Sequence, residues 1–284
     1  MAKVWLITGG ERGLGRYIAE AALVSGEHVL ATASSAERLA DLQALYGTRL
    51  CVLPQAADDV AARGLAQAAL EAFGRVDVLV NTAGPGRMAP FEQIEDGDFR
   101  AEMDEHFFGL VNLTRAVLPI MRQQRSGHII NVSSVGGRFG APGLAAYQAS
   151  KWAVGGFTEA LAREVAAFGV KLCCLEPGDL ARDLPRGIEE GAWLPEYRST
   201  MEAGHRQFIH LAGNETGDPA RVAQIVLRLA YHSAPPAHLL LGSDALRQAG
   251  QADVERTEAE LRWRVVTLAT DRNAHLPLPA LPRR

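Results

Sequence analysis

The stretch "KVWLITGGERGLG", residues 3–15, decides the fold. Its first half is built of strand formers, and its second half is a glycine-rich turn that leads into a helical pattern. Gly9, Gly13 and Gly15 permit positive φ and let a bound group approach the main chain closely. A helix opening near Gly13 directs its first N–H groups, and the positive end of its dipole, at an anion such as a phosphate. The spacing is Gly-x-x-x-Gly-x-Gly, which differs from the Gly-x-Gly-x-x-Gly turn.

The same alternation of short apolar and longer amphipathic runs continues along the chain. "HVLATA" (28–33), "RLCVLP" (49–54), "DVLVN" (77–81), "GHIINVSS" (127–134) and "VKLCCLEPG" (170–178) read as strands two to six, and "AHLLLGS" (237–243) as a seventh. Long helices are expected over roughly 99–125 and 146–168. The strands are near-continuous apolar runs, the pattern of strands covered by helices on both faces. The alternation predicts one doubly wound α/β domain over residues 1–284, its parallel sheet having about seven strands. Residues 179–218 break the rhythm with Pro185, Gly187, Gly191, Trp193 and Pro195. They follow the C-terminal end of strand six, the edge where such sheets bind ligands, so a substrate lid is expected there. The end of the chain, "HLPLPALPRR" (275–284), reads as a non-helical tail.

Composition narrows the function. The 284 residues carry a net charge of −4 and show no basic cluster, so nucleic acid is not an expected partner. No apolar run approaches the ~18 residues of a membrane span. The N-terminus reads as a strand and is too short in its apolar run for a secretory signal. Cys51, Cys173 and Cys174 are odd in number and lie in apolar runs, which suggests buried free thiols in a reducing, cytoplasmic setting. The eight histidines are scattered and no metal-ligand spacing occurs, so no metal site is expected.

In "AAYQASKWAV", residues 145–154, Tyr147 and Lys151 stand one helical turn apart and share a face. This pair, "TGGERGLG" (8–15), "NTAG" (81–84), "NVSS" (131–134) and "EPG" (176–178) follow one another in the order and at the distances of the short-chain dehydrogenase/reductase family, which the sequence resembles over nearly its whole length. "GDPARVA" (217–223) and "LLLGSDAL" (239–246) resemble the subgroup of 17β-hydroxysteroid dehydrogenases. The resemblance implies a Rossmann-type domain that binds a nicotinamide cofactor and transfers hydride between it and a ketone or secondary alcohol.

By that resemblance Tyr147 is the proton donor. A free tyrosine has a pKa near ~10, and a neighbouring ammonium lowers it. Lys151 is placed to do so, and in the family it also holds the nicotinamide ribose. Ser134 matches the serine that hydrogen-bonds the substrate oxygen; strand alternation sends the neighbouring Ser133 the other way. In "EHFFG" (105–109), His106 replaces an asparagine whose main-chain carbonyl belongs to the family's proton relay. A histidine there either is a tolerated replacement or adds a titrating group; the first is the expectation here. Asn112 lies too late to take the asparagine's place.

The cofactor-binding positions implied are Gly9, Arg12, Gly13, Leu14 and Gly15 of the turn, with Ser34, Gln55, Asn81, Ala83 and Gly84, then Tyr147 and Lys151, and lastly Pro177, Gly178 and Leu180. NAD-preferring relatives end strand two with an acid that binds the adenosine ribose. Ala33 stands there, followed by Ser34 and Ser35, so no carboxylate is expected to repel a 2′-phosphate. Arg12, Ser34 and Arg38 are expected to share that phosphate, which favours NADP(H), with NAD(H) also possible. Gln55 replaces an aspartate that binds adenine, Thr82 replaces a second asparagine, and Arg182 replaces a threonine near the cofactor amide.

Met88, Phe139, Leu144, Leu184, Trp193 and Tyr197 are candidate pocket walls, and their apolar character points to a hydrophobic ketone or alcohol. Arg138 or Arg182 would suit an acidic substituent. Two other readings stay open: an NAD-dependent alcohol dehydrogenase, and a cofactor-binding regulatory protein without turnover. The family resemblance also implies a homodimer or homotetramer built through the helices near 99–125 and 146–168.

Overall fold

In the computed structural model, residues 2–56, 58–82, 84–180, 193–211, 215–272 and 278–282 are described. Val4–Ile7 form β1, and a glycine turn leads into α1 (Gly13–Val24). β2 (His28–Ala33), α2 (Ala40–Tyr46) and β3 (Leu50–Pro54) follow, then α3 (Asp59–Phe73) and β4 (Val78–Asn81). Next come α4 (Asp96–Met103), a π-helical turn (Asp104–Phe108), α5 (Gly109–Gln124) and β5 (Gly127–Val132). α6 (Ala145–Val165) and β6 (Val170–Pro177) complete the second half of the sheet core. α7 (Arg198–Leu211), α8 (Pro219–Leu229), β7 (His238–Leu241) and α9 (Ser243–Leu268) close the chain.

All seven strands are parallel, in the order β3-β2-β1-β4-β5-β6-β7. This is the α/β, Rossmann-type fold the pattern predicts. The order reverses between β1 and β4, and the crevice at that switch point opens at the C-terminal ends of the strands. Alternation within β1 explains its unbroken apolar run. Trp5 and Ile7 face one core with α1 and α8; Leu6 faces the other with α3, α5 and α6. Helix ends are locally encoded. Asp58 accepts from the Ala61 N–H at 2.8 Å, and Asp218 caps α8 ahead of Pro219 at its first position.

Two features differ from the sequence reading. The helix expected at 99–125 starts at Asp96 and is interrupted by the π turn. A helix of 26 residues, α9, follows β7. Most of its surface stays in solvent, so it lacks the periodic apolar stripe that marks a packed helix. Two stretches of the expected lid, residues 181–192 and 212–214, lie outside the described residues, as do 275–277 and 283–284 of the tail. All three cysteines are free thiols. Burial pushes those of Cys173 and Cys174 up to about 12, which keeps them protonated.

Candidate active site

A cleft of about 740 Å³ runs along the C-terminal ends of the strands. One end is floored by the turn after β1. Gly9 has φ +60° and Gly13 φ +51°. A Cβ on Gly15 would overlap the Gly9 carbonyl, and one on Gly9 would stand 2.7 Å from Thr82 Oγ1. The turn is thus a cradle that side chains would fill, open to the N-terminus of α1. It fits a pyrophosphate. Thr8 and Thr82 clamp β1 to β4 beneath it: Thr82 N–H donates to Thr8 Oγ1 at 2.7 Å, and Thr8 Oγ1 to the Thr82 carbonyl at 2.9 Å.

The middle of the cleft gathers Ser134, Tyr147 and Lys151. Ser134 follows β5, and its Oγ accepts from the Gly136 N–H at 3.1 Å. Ser133 also borders the cleft, but its hydroxyl donates to the Lys151 carbonyl at 3.0 Å and so steadies α6. Lys151 is buried; its Nζ lies 3.4 Å from the Val132 carbonyl and 5.3 Å from the centre of the Tyr147 ring. Small residues around the pair let α6 sit close to β6 and to the turn after β5. Gly86 borders the Tyr147 ring so closely that any Cβ there would overlap it. Sequence reasoning missed Gly86, although the glycines of "NTAGPG" offered a signal.

His106 stands beside this group rather than in the main cleft. Its ring meets Tyr147 edge to face, with centroids 5.3 Å apart. Its Nε2 faces Glu102 Oε2 at 3.5 Å, and both side chains are buried. A side cavity of about 20 Å³, bordered by His106, Asn81, Thr82 and Gln55, lies next to it. That is room for about one water. The sequence did not reveal Glu102, because its meeting with His106 follows from four-residue spacing on a helix whose local phase the π turn sets.

The other expected residues divide. Arg12, Leu14, Gln55, Gly84, Phe139, Leu144, Pro177 and Leu180 border the cleft. Gln55 also accepts from Thr32 Oγ1 at 3.3 Å. Asn81 lies behind the wall, where its Nδ2 donates to Asn131 Oδ1 at 2.8 Å and Asn131 donates to Thr158 at 2.9 Å, tying β4 to β5 and α6. Gly178 is a packing glycine: a Cβ there would overlap the Asp244 carboxylate, which accepts from the Asp179 N–H at 2.6 Å. Met88 and Trp193 are buried with Leu144 and Met201 in a satellite core, so they back the wall instead of forming it. Tyr197 donates to Glu92 at 2.7 Å, away from the cleft. Arg138 is bound at 2.7 Å to the buried Glu176, which also meets His238 at 2.8 Å, and it does not border the cleft. Ala83, Leu184 and Arg182 lie outside the described residues.

The expectation of no carboxylate at the end of β2 is corrected by the fold. Glu11, from the glycine turn, accepts from the Ser34 N–H at 2.8 Å and from Ser34 Oγ at 2.6 Å. The sequence places the two residues far apart, but the sheet sets β1 beside β2.

A doubly wound parallel sheet with a glycine cradle at its switch point and Ser, Tyr and Lys in one cleft defines a dinucleotide-dependent oxidoreductase. Residues 3–192 match the sequence model of the short chain dehydrogenase family. The chain is 43% identical over 274 residues to "Oxidoreductase BOA17" of Botryotinia fuckeliana, covering 95% of this chain and 100% of that protein. It is 34% identical over 238 residues to a 3-oxoacyl-(acyl-carrier-protein) reductase of Synechocystis, covering 82% of this chain and 91% of the relative. The crystal structure of a short-chain dehydrogenase from Streptomyces avermitilis is similar at a TM-score of 0.85 and 37% identity, over 95% of this chain and 100% of that one. A metagenomic short-chain oxidoreductase in complex with NADP is similar at a TM-score of 0.67 and 26% identity, over 84% and 96%. The chain belongs to the short-chain dehydrogenase/reductase family, oxidoreductases that act on CH–OH groups with NAD(P).

Proposed function

We propose that the protein is an NADP(H)-dependent carbonyl reductase, or secondary alcohol dehydrogenase in the reverse direction, acting on a hydrophobic ketone or alcohol. The observation that carries this reading is the meeting of Ser134, Tyr147 and Lys151 in one cleft with the glycine cradle. When bound, the nicotinamide supplies or accepts the hydride. Tyr147 Oη gives its proton to the substrate oxygen as negative charge grows there. Ser134 Oγ donates a hydrogen bond to the same oxygen. The Lys151 ammonium, buried against the Tyr147 ring, favours the phenolate that results. Gly9, Gly13, Leu14 and Gly15 would hold the pyrophosphate, Gln55 and Gly84 would serve the adenosine half, and Pro177 and Leu180 the nicotinamide. Arg12 and Arg38, whose charges both act on Glu11, would supply the cations a 2′-phosphate needs.

Phe139 and Leu144 give the outer cleft its apolar wall, which suits a hydrophobic substrate. The resemblance to 17β-hydroxysteroid dehydrogenases is carried by residues 217–223 and 239–246 of the sequence alone. The whole chain works as one catalytic unit. Phe108 and Trp152 stand exposed on the two long helices through which a second copy would pack into a dimer or tetramer. Three unpaired thiols suit a cytoplasmic setting. No described helix is long and apolar enough to cross a membrane.

The test is turnover of a panel of aryl and medium-chain ketones with NADPH and with NADH, in wild type and Tyr147→Phe. Reduction that vanishes in Tyr147→Phe supports the assignment. Cofactor binding without turnover of any substrate in either direction would point to the regulatory reading instead.

A further inference from the structure

Nothing acidic follows Ala33 in the chain before Glu37, yet a carboxylate stands at the end of β2. It belongs to Glu11. The turn after β1 is laid over β2 by two contacts, Gly10 N–H to the Thr32 carbonyl at 2.9 Å and Gly9 N–H to Thr32 Oγ1 at 3.1 Å. These carry Glu11 to Ser34, whose N–H and hydroxyl both donate to one of its oxygens. Arg38 comes near on the segment after β2, which Arg16 ties to α1 through the Arg38 carbonyl at 3.2 Å and through the Asp41 carboxylate. Burial works against ionisation of Glu11, but the Ser34 hydrogen bonds and the fields of Arg38 and Arg12 outweigh it and hold its pKa below the ordinary carboxylate value. Glu11 and Arg12 both border the cleft.

A backbone N–H, a hydroxyl and two nearby guanidinium groups are the components of a phosphate site. Here a carboxylate of the protein itself lies on the N–H and the hydroxyl, within the field of both guanidinium groups. We propose that Glu11 sets the choice between the two nicotinamide cofactors, by standing in for the 2′-phosphate when the ribose carries none. This rests on the reading of the cleft as a dinucleotide site. With NAD(H), the carboxylate stays on Ser34 and its free lone pairs accept from the ribose 2′-hydroxyl. With NADP(H), two anions cannot share the place, so Glu11 must leave Ser34 before Arg12, Ser34 and Arg38 can close on the phosphate. The protein therefore prefers NADP(H) less strongly than its cations alone would dictate, and accepts both cofactors.

The experiment is calorimetric binding of NADPH and NADH to the full-length wild type, Glu11→Gln and Glu11→Ala. The ratio of the NADH Kd to the NADPH Kd is expected to rise about tenfold in both variants, chiefly through tighter NADPH, which is the effect of removing one close like charge. An unchanged ratio, or one that falls, overturns the proposal. Loss of both cofactors in the variants at an unchanged Tm also overturns it, since Glu11 would then be a support of the loop. Wild type that binds neither cofactor would overturn the dinucleotide reading itself, a result distinct from wild type that binds both with variants that do not shift.

Discussion

The Lys151 ammonium stands 5.3 Å from the centre of the Tyr147 ring, one turn further along α6. Lys151 is 3% exposed, so its charge is little screened and acts on the phenol in a low-dielectric setting. Tyr147→Phe should therefore lower turnover by about 10²–10⁴-fold, the usual worth of a positioned proton donor, while cofactor binding remains measurable. Lys151→Met should lower turnover and weaken cofactor binding together. Steady-state kinetics with parallel calorimetry check both; a Tyr147→Phe enzyme at near wild-type turnover would refute the role.

Gly86 is the residue against which the Tyr147 ring is set. A methyl group there must push the ring aside, because the neighbours are ring atoms and not the flexible tip of a long chain. Gly86→Ala should cost about 10²-fold in kcat, the scale of a small misplacement of a reacting group. The far-ultraviolet circular dichroism should be unaltered. A fully active Gly86→Ala enzyme would show that the ring has room to retreat.

His106 supports Tyr147 from the side, and its partner is Glu102. His106→Ala should destabilise the protein by roughly 2–4 kcal/mol, from the cavity and from a Glu102 carboxyl left facing it. Turnover at a temperature where the variant is folded should persist. A loss of about 10²-fold or more, with binding intact, would give His106 a share in proton transfer.

Burial holds the His128 pKa below its ordinary value of 6.5, while its Nε2 lies 3.1 Å from the His232 carbonyl. The folded state thus favours the neutral ring, and the unfolded chain binds the proton more readily. Stability from this site is fully present above pH 6.5 and is lost as pH falls below it toward the folded value. In His128→Asn the acid limb of a Tm-versus-pH curve should be shallower than in wild type; coincident slopes would exclude the histidine as its source.

Much of the site was legible because its chemistry lies in short local motifs. Tyr147 and Lys151 need only helical spacing, and the glycines at 9, 13 and 15 need only the turn they build. The residues misjudged are those whose role depends on a distant partner. Met88 and Trp193 look like pocket walls until Met201 packs on them, and Arg138 looks free until Glu176 meets it. Gly178 reads as a cofactor contact until α9 brings Asp244 against it.

By itself the sequence determined the strand–helix alternation, the parallel sheet, the glycine turn after β1 and the motifs that carry Ser134, Tyr147 and Lys151. Each is written in local periodicity or in motifs that keep their order along the chain. Only the tertiary structure decided that His106 pairs with Glu102 behind Tyr147, and that Glu11 occupies the end of β2. The physical reason differs between them. The π turn resets the helix phase that puts Glu102 and His106, four residues apart, on one buried face, whereas sheet register brings Glu11 to Ser34, which no periodicity relates.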